Sequence, residues 1–141
     1  MTVNIFNTTA IRRVPLTLYG RCTAISTGAN VASPDGRGYL LKQADVSSIL
    51  VTAYVNGVSV GTDTPAVSSV IYDTLQTGNN WDTVGDVNGK PDRLGGNARY
   101  TVPAALVTAG QRKVDIEIMF TLTDGSLAPW LVTVEATDGR M

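Results

Sequence analysis

The chain has 141 residues, 16% of them charged, and 11 basic against 12 acidic groups leave a formal net charge of −1. That length suits one domain, and the balanced charge excludes the clustered basic excess that nucleic-acid binding requires. Histidine is absent and Cys22 is the one cysteine, which removes the commonest general base and metal ligand, any intramolecular disulfide and any thiolate cage. No stretch approaches the ~20 apolar residues of a membrane span. Residues 1–10 lack the basic and apolar regions of a secretory signal, so the expected setting is a soluble protein made in a reducing cytoplasm, with no membrane partner.

Taken in chain order, residues 1–13 read as an extended N-terminal arm. Asn4, Asn7, Thr8 and Thr9 interrupt its few apolar residues, so no amphipathic helix follows. Val3, Ile5 and Phe6 are β-formers, and burying Phe6 is worth roughly 1.5–3 kcal/mol. Either Ile5 and Phe6 seat on a neighbouring subunit with Arg12 and Arg13 anchored to its acidic groups, or the segment is a frayed terminus or the first strand of its own sandwich.

Residues 14–141 then form one domain rich in strand signals. A strand is expected over residues 14–24, with Cys22 as a buried small hydrophobe rather than a reactive thiol. Residues 44–48 suit a short turn. Residues 49–55 and 58–60 flank Asn56-Gly57, the preferred pair for a type I′ hairpin turn. Residues 69–75 and 99–102 are further strands, and residues 103–109 suit a short helix started by its proline.

Residues 78–97 form the longest irregular stretch, and a loop of that length is more often functional than idle. It carries Asn79, Asn80 and Trp81, an aromatic anchor between polar neighbours, which suits a protein contact, a stacked sugar, or a cap on the protein's own core. Asp86-Val87-Asn88-Gly89 has part of the spacing of a calcium loop, but its closing glutamate is missing, so no metal or cofactor is expected.

The final hairpin is the clearest. Ile116, Ile118, Phe120 and Leu122 alternate with Asp115, Glu117, Met119 and Thr121, a period-two pattern with one buried face. After the turn Thr123-Asp124-Gly125-Ser126, Trp130, Val132, Val134 and Ala136 take one face and Leu131, Thr133 and Glu135 the other. Most aspartates sit in turn contexts, among them Asp35-Gly36, Asp124-Gly125 and Asp138-Gly139, and Glu117 with Glu135 is the one carboxylate pair on predicted strands. These patterns predict an all-β fold, an antiparallel β-sandwich of immunoglobulin-like or jelly-roll-like type, with no catalytic residues.

Tyr39-Leu40-Leu41-Lys42-Gln43-Ala44-Asp45-Val46-Ser47-Ser48-Ile49, Ser69-Val70-Ile71-Tyr72-Asp73-Thr74-Leu75-Gln76-Thr77 and Tyr100-Thr101-Val102-Pro103-Ala104 resemble segments of small β-sandwich virion proteins of tailed bacteriophages. The chain departs from that pattern at Gly95-Gly96-Asn97-Ala98. The resemblance implies a structural, non-enzymatic virion protein, a capsid decoration (cement) protein or a tail or baseplate component. Its implied partners are the major capsid protein and copies of itself, as a homo-oligomer such as a trimer. A carbohydrate-binding module is the rival reading, with Trp81 stacked on the sugar.

Overall fold

In a computed structural model, residues 2–7, 16–25, 39–84, 86–87, 90–91, 94–106 and 113–135 are described. The strands are β1 (Thr2–Asn7), β2 (Leu16–Ile25), β3 (Tyr39–Leu40), β4 (Val46–Val55), β5 (Val58–Asp63) and β6 (Ile71–Gln76). They continue as β7 (Asp86–Val87), β8 (Lys90–Pro91), β9 (Gly96–Val102), β10 (Lys113–Leu122) and β11 (Leu127–Glu135). One sheet has the order β1-β2-β9-β6, with β3 also paired to β2, and the second has the order β11-β10-β4-β5. Every paired neighbour is antiparallel. This is the all-β sandwich that the alternating patterns require.

The core lies between the sheets. Ile116, Ile118, Phe120 and Leu122 of β10, Trp130, Val132 and Val134 of β11, and Ile49, Val51 and Ala53 of β4 are all buried. Leu16, Leu18 and Cys22 of β2 and Ala98, Tyr100 and Val102 of β9 meet them from the other sheet. The alternation legible in residues 115–122 is thus the burial alternation of β10. A short helix α1 (Val67–Val70) carries the chain from β5 to β6 and closes the gap between sheets, touching β4 and β9.

Both expected hairpins form. Asn56 and Gly57 take φ of 51° and 80°, the double left-handed conformation of a type I′ turn. At the other hairpin Gly125 has φ of 88°, and its N–H donates to the Leu122 carbonyl at 2.9 Å. Asp124 accepts there from the Ser126 backbone and hydroxyl, which holds its carboxyl below the usual carboxylate range.

Several expectations change, and the strand expected over 69–75 begins at Ile71, with Ser69 and Val70 in α1. The irregular stretch 78–97 contains a 3-10 turn at Asn79–Thr83 and the small β7–β8 hairpin, and β9 already begins at Gly96. The short helix expected over 103–109 is a 3-10 turn at Ala104–Leu106, and residues 107–109 lie outside the described residues. The N-terminal segment is extended, but Thr2–Asn7 lies along β2 as the edge strand of the protein's own sheet, Ile5 opposite Cys22 and Phe6 opposite Arg21. The β-formers of this segment complete an edge that β2 would otherwise leave open, so the first-strand alternative holds for these residues.

One side chain replaces a piece of the ladder. β9 pairs with β2 only from Leu16 to Gly20, and β3 takes up β2 at Thr23 and Ala24. Between them Asn97, fully buried, accepts from the Cys22 N–H at 2.7 Å and donates to the carbonyls of Cys22 at 3.2 Å and Leu41 at 2.7 Å. The Leu41 N–H also reaches the Cys22 carbonyl, at 3.0 Å.

Two outcomes test this account. A Cβ at Gly57 meets open space, so Gly57→Val should cost stability through backbone strain alone, about 1–2 kcal/mol in urea unfolding, with the fold retained. Asn97→Leu strands the Cys22 N–H and the Leu41 carbonyl, and should cost on the order of 3 kcal/mol in the same assay.

Candidate functional site

The chain's outer surfaces differ sharply. On β2 the core-facing residues are buried as expected, but so are Arg21 and Thr23, which point the opposite way. The 3-10 turn and the segment around Gly95 cover this face. The Arg21 Nη1 donates to the Gly95 carbonyl at 3.2 Å. Gly95 has φ of 84°, and a Cβ there would stand 1.9 Å from the Gln76 carbonyl oxygen. At Gly96 a Cβ would meet the Gly20 carbonyl oxygen at 2.4 Å and the Trp81 ring at 3.0 Å. Both glycines are therefore required by close approach rather than by flexibility.

Trp81 is half-buried and meets Tyr19 at a ring separation of 4.9 Å and Tyr72 at 5.5 Å, both edge-to-face. Such pairs are worth about 0.5–1.5 kcal/mol each beyond area burial. Of the readings for Trp81, the cap on its own sheet describes this geometry. Asn79 and Asn80 are exposed beside it, and Asn80 Nδ2 approaches the Tyr19 hydroxyl at 3.4 Å. The other sequence candidates lie elsewhere. Ile5 and Phe6 sit on edge strand β1, adjacent to β11 of the second sheet, while Arg12 and Arg13 fall outside the described residues.

The carboxylate pair is not brought together. Glu117 lies opposite Leu131 and Glu135 opposite Lys113, in separate rows of the hairpin. In the segment with partial calcium-loop spacing, Asp86 and Val87 pair with Pro91 and Lys90. Among the described residues no group of three or more His, Cys, Asp or Glu is placed to hold a metal. Burial pushes the Cys22 thiol up to about 12, which keeps it protonated and poorly nucleophilic.

Two surfaces have the features of contact sites. The first is the outer face of the second sheet. Register places Met119 between Leu50 and Pro129, Glu117 between Thr52 and Leu131, and Thr121 between Ser48 and Leu127. Leu50, Leu127 and Leu131 are 46%, 61% and 63% exposed, so this is a contiguous apolar row and not an isolated side chain. Beside it Tyr54, Asp115, Glu117, Leu131 and Thr133 line an open depression of about 370 Å³, with the Thr133 hydroxyl donating to Asp115 at 2.8 Å. Leu131 was legible on the wetter face of the final hairpin. Its alignment with Leu50 depends on the pairing of β10 with β4, which no local pattern states.

The second is the mouth of the sandwich on the β5 side. Asp63 ends β5 and pairs with the buried Val51, and its Oδ2 accepts from the Tyr100 hydroxyl at 2.7 Å. The bond ties β9 of one sheet to β5 of the other. Burial first, and then the bond to Asp63 and its charge, push the Tyr100 phenol well above its ordinary value near 10.

Compared with known proteins, the chain matches no family model, no curated protein and no solved structure.

The tyrosine gives an alkaline signature. Because its folded value is raised, its contribution is fully present below pH ~10, the unfolded value, and is lost as the unfolded chain deprotonates above that. Tyr100→Phe should cost about 1.5–3 kcal/mol near pH 8, and the gap between wild type and variant should narrow from about pH 10 upward. Urea unfolding at pH 8 and 11 checks this, and a gap of constant size refutes it.

Proposed function

We propose that the protein is a non-enzymatic structural component of a tailed-phage virion, a decoration (cement) protein bound to the outer capsid shell beside copies of itself. The observation that carries the reading is the exposed apolar row Leu50–Met119–Pro129, flanked by Leu127 and Leu131, on the outer face of the second sheet. Apolar rows rimmed by polar groups are what protein interfaces bury at their centres. Tyr54, Asp115 and Glu117 supply the polar rim on one side. Nearly balanced charge lets many copies pack closely without self-repulsion.

Edge strands support the same reading. β1 and β11 end their sheets on the same side of the sandwich, so two rows of backbone donors and acceptors lie next to the apolar row. A neighbouring copy or a capsid strand can pair with either edge. Ile5 and Phe6 belong to this margin, and Arg12 and Arg13 follow it in sequence. A trimer around a capsid three-fold axis would use such contacts in each copy.

Co-sedimentation with capsids purified from the encoding phage after deletion of this gene tests the proposal. Wild type should saturate the shell at micromolar concentration, and the double variant Leu50→Asp, Leu131→Asp should bind at least about tenfold more weakly while melting normally. Failure of the wild type to bind the shell overturns the capsid assignment, and binding to purified tails instead would place the protein there.

A further inference from the structure

The mouth of the sandwich on the β5 side has chemistry that capsid docking does not use. Asp63, Pro65, Ser69, Tyr72, Arg99 and Tyr100 line an open cleft of about 360 Å³ there, formed where the chain crosses from β5 through α1 to β6. The walls belong to different elements. Asp63 comes from the edge of one sheet, Tyr72 and Arg99 come from neighbouring strands of the other, and Ser69 comes from α1.

From these placements we infer that the cleft is a binding site for a neutral polyhydroxylated ring, a pyranose of the hexose class. Asp63 is held by Tyr100 through Oδ2, and its Oδ1 takes no hydrogen bond from the described residues. Arg99 is exposed, and its guanidinium makes no hydrogen bond or ion pair with the described residues. The cleft thus offers a fixed carboxylate acceptor and a fork of guanidinium donors to the same ligand. Vicinal hydroxyls satisfy both, donating to one and accepting from the other. A simple anion would face Asp63, and a simple cation would face Arg99.

The aromatic wall narrows the class further. Tyr72 is half-buried and buttressed by Trp81, which also braces Tyr19. A ring fixed in this way offers the C–H face of a pyranose an apolar contact at little entropic cost. Ser69 donates its hydroxyl proton to the Ala66 carbonyl at 2.7 Å, which leaves its oxygen as an acceptor. A few polar groups converging beside one aromatic ring match the general make-up of small-ligand sites. Trp81 braces the Tyr72 ring without lining the cleft and is therefore not itself the stacking residue.

The test is a two-dimensional amide NMR titration of the full chain with glucose, galactose, mannose and N-acetylglucosamine up to about 50 mM, a range that captures millimolar binding. At least one sugar should shift the amides of Asp63, Ser69, Tyr72 and Arg99 as a saturable group. Arg99→Ala should weaken that binding at least about tenfold with the melting temperature within about 2 °C of wild type. Asp63→Asn, which keeps an acceptor for Tyr100, should weaken it as well. No saturable shift with any sugar overturns the assignment, as do shifts confined to residues 79–81 or undiminished binding by Arg99→Ala. Glycine is the control zwitterion, and saturable shifts with glycine alone would also overturn it. Because the capsid test uses Leu50 and Leu131 on the opposite sheet, either result leaves the other reading standing.

Discussion

Where β2 changes partners, a single side chain carries the ladder. β9 holds the first half of β2 and β3 holds its end, and the junction leaves backbone groups that neither strand reaches. The Asn97 amide is the right size and polarity to stand in for a peptide unit, with one acceptor and two donors aimed at Cys22 and Leu41. An apolar residue there would strand those groups, at about 1–3 kcal/mol each. A carboxylate would accept from Cys22 but repel both carbonyls. The continuity of the first sheet, and with it the facing half of the core, depends on this amide.

The residues before Asn97 serve the same constraint. Gly95 turns with positive φ against the Gln76 carbonyl, and Gly96 lets β9 pass close to Gly20 and lets Trp81 lie on the backbone. The strand start at Gly96, the turn at Asn79–Thr83 and the burial of Arg21 are thus one packing solution. Burying a guanidinium costs several kcal/mol unless hydrogen bonds compensate it, and the Gly95 carbonyl is one acceptor that does so. The stretch Gly95-Gly96-Asn97-Ala98 is also where the chain departs from the virion-protein resemblance, so this junction is a feature of its own.

This arrangement decides which surfaces are left for partners. Trp81, the most conspicuous aromatic in the long loop, is engaged by Tyr19 and Tyr72. The exposed large apolar residues instead collect on the opposite sheet, Leu50 on β4, Val58 and Val60 on β5, and Leu127 and Leu131 on β11. On the β5 side an inward-pointing Asp63 ends the edge strand, a charge that discourages edge-to-edge pairing there. Its bond to Tyr100 locks the two sheets together and shapes the cleft beside it. The two edges are therefore unlike: β5 carries the exposed Val58 and Val60 and ends on a charge, and the other side offers β1 and β11 together beside the apolar row.

Local pattern was enough to determine the strand character, the hairpins at Asn56-Gly57 and Asp124-Gly125 and the buried face of β10, because period two and positive φ are properties of adjacent residues. Cys22 was legible as core for the same reason. Which strands pair was decided only by the tertiary structure, since a ladder between β4 and β10 or β2 and β9 joins residues far apart in sequence. The N-terminal segment carried signals for a strand, but whether it completed its own sheet depended on an edge of β2 supplied by the fold. Arg21 lies on the outward side of an alternating strand, and only the segments that cover this face make it buried. Asn97 and Asp63 read as loop and turn residues. Their roles arise from atoms on β2, β3 and β9 that meet them in space, which is information no window of neighbouring residues contains.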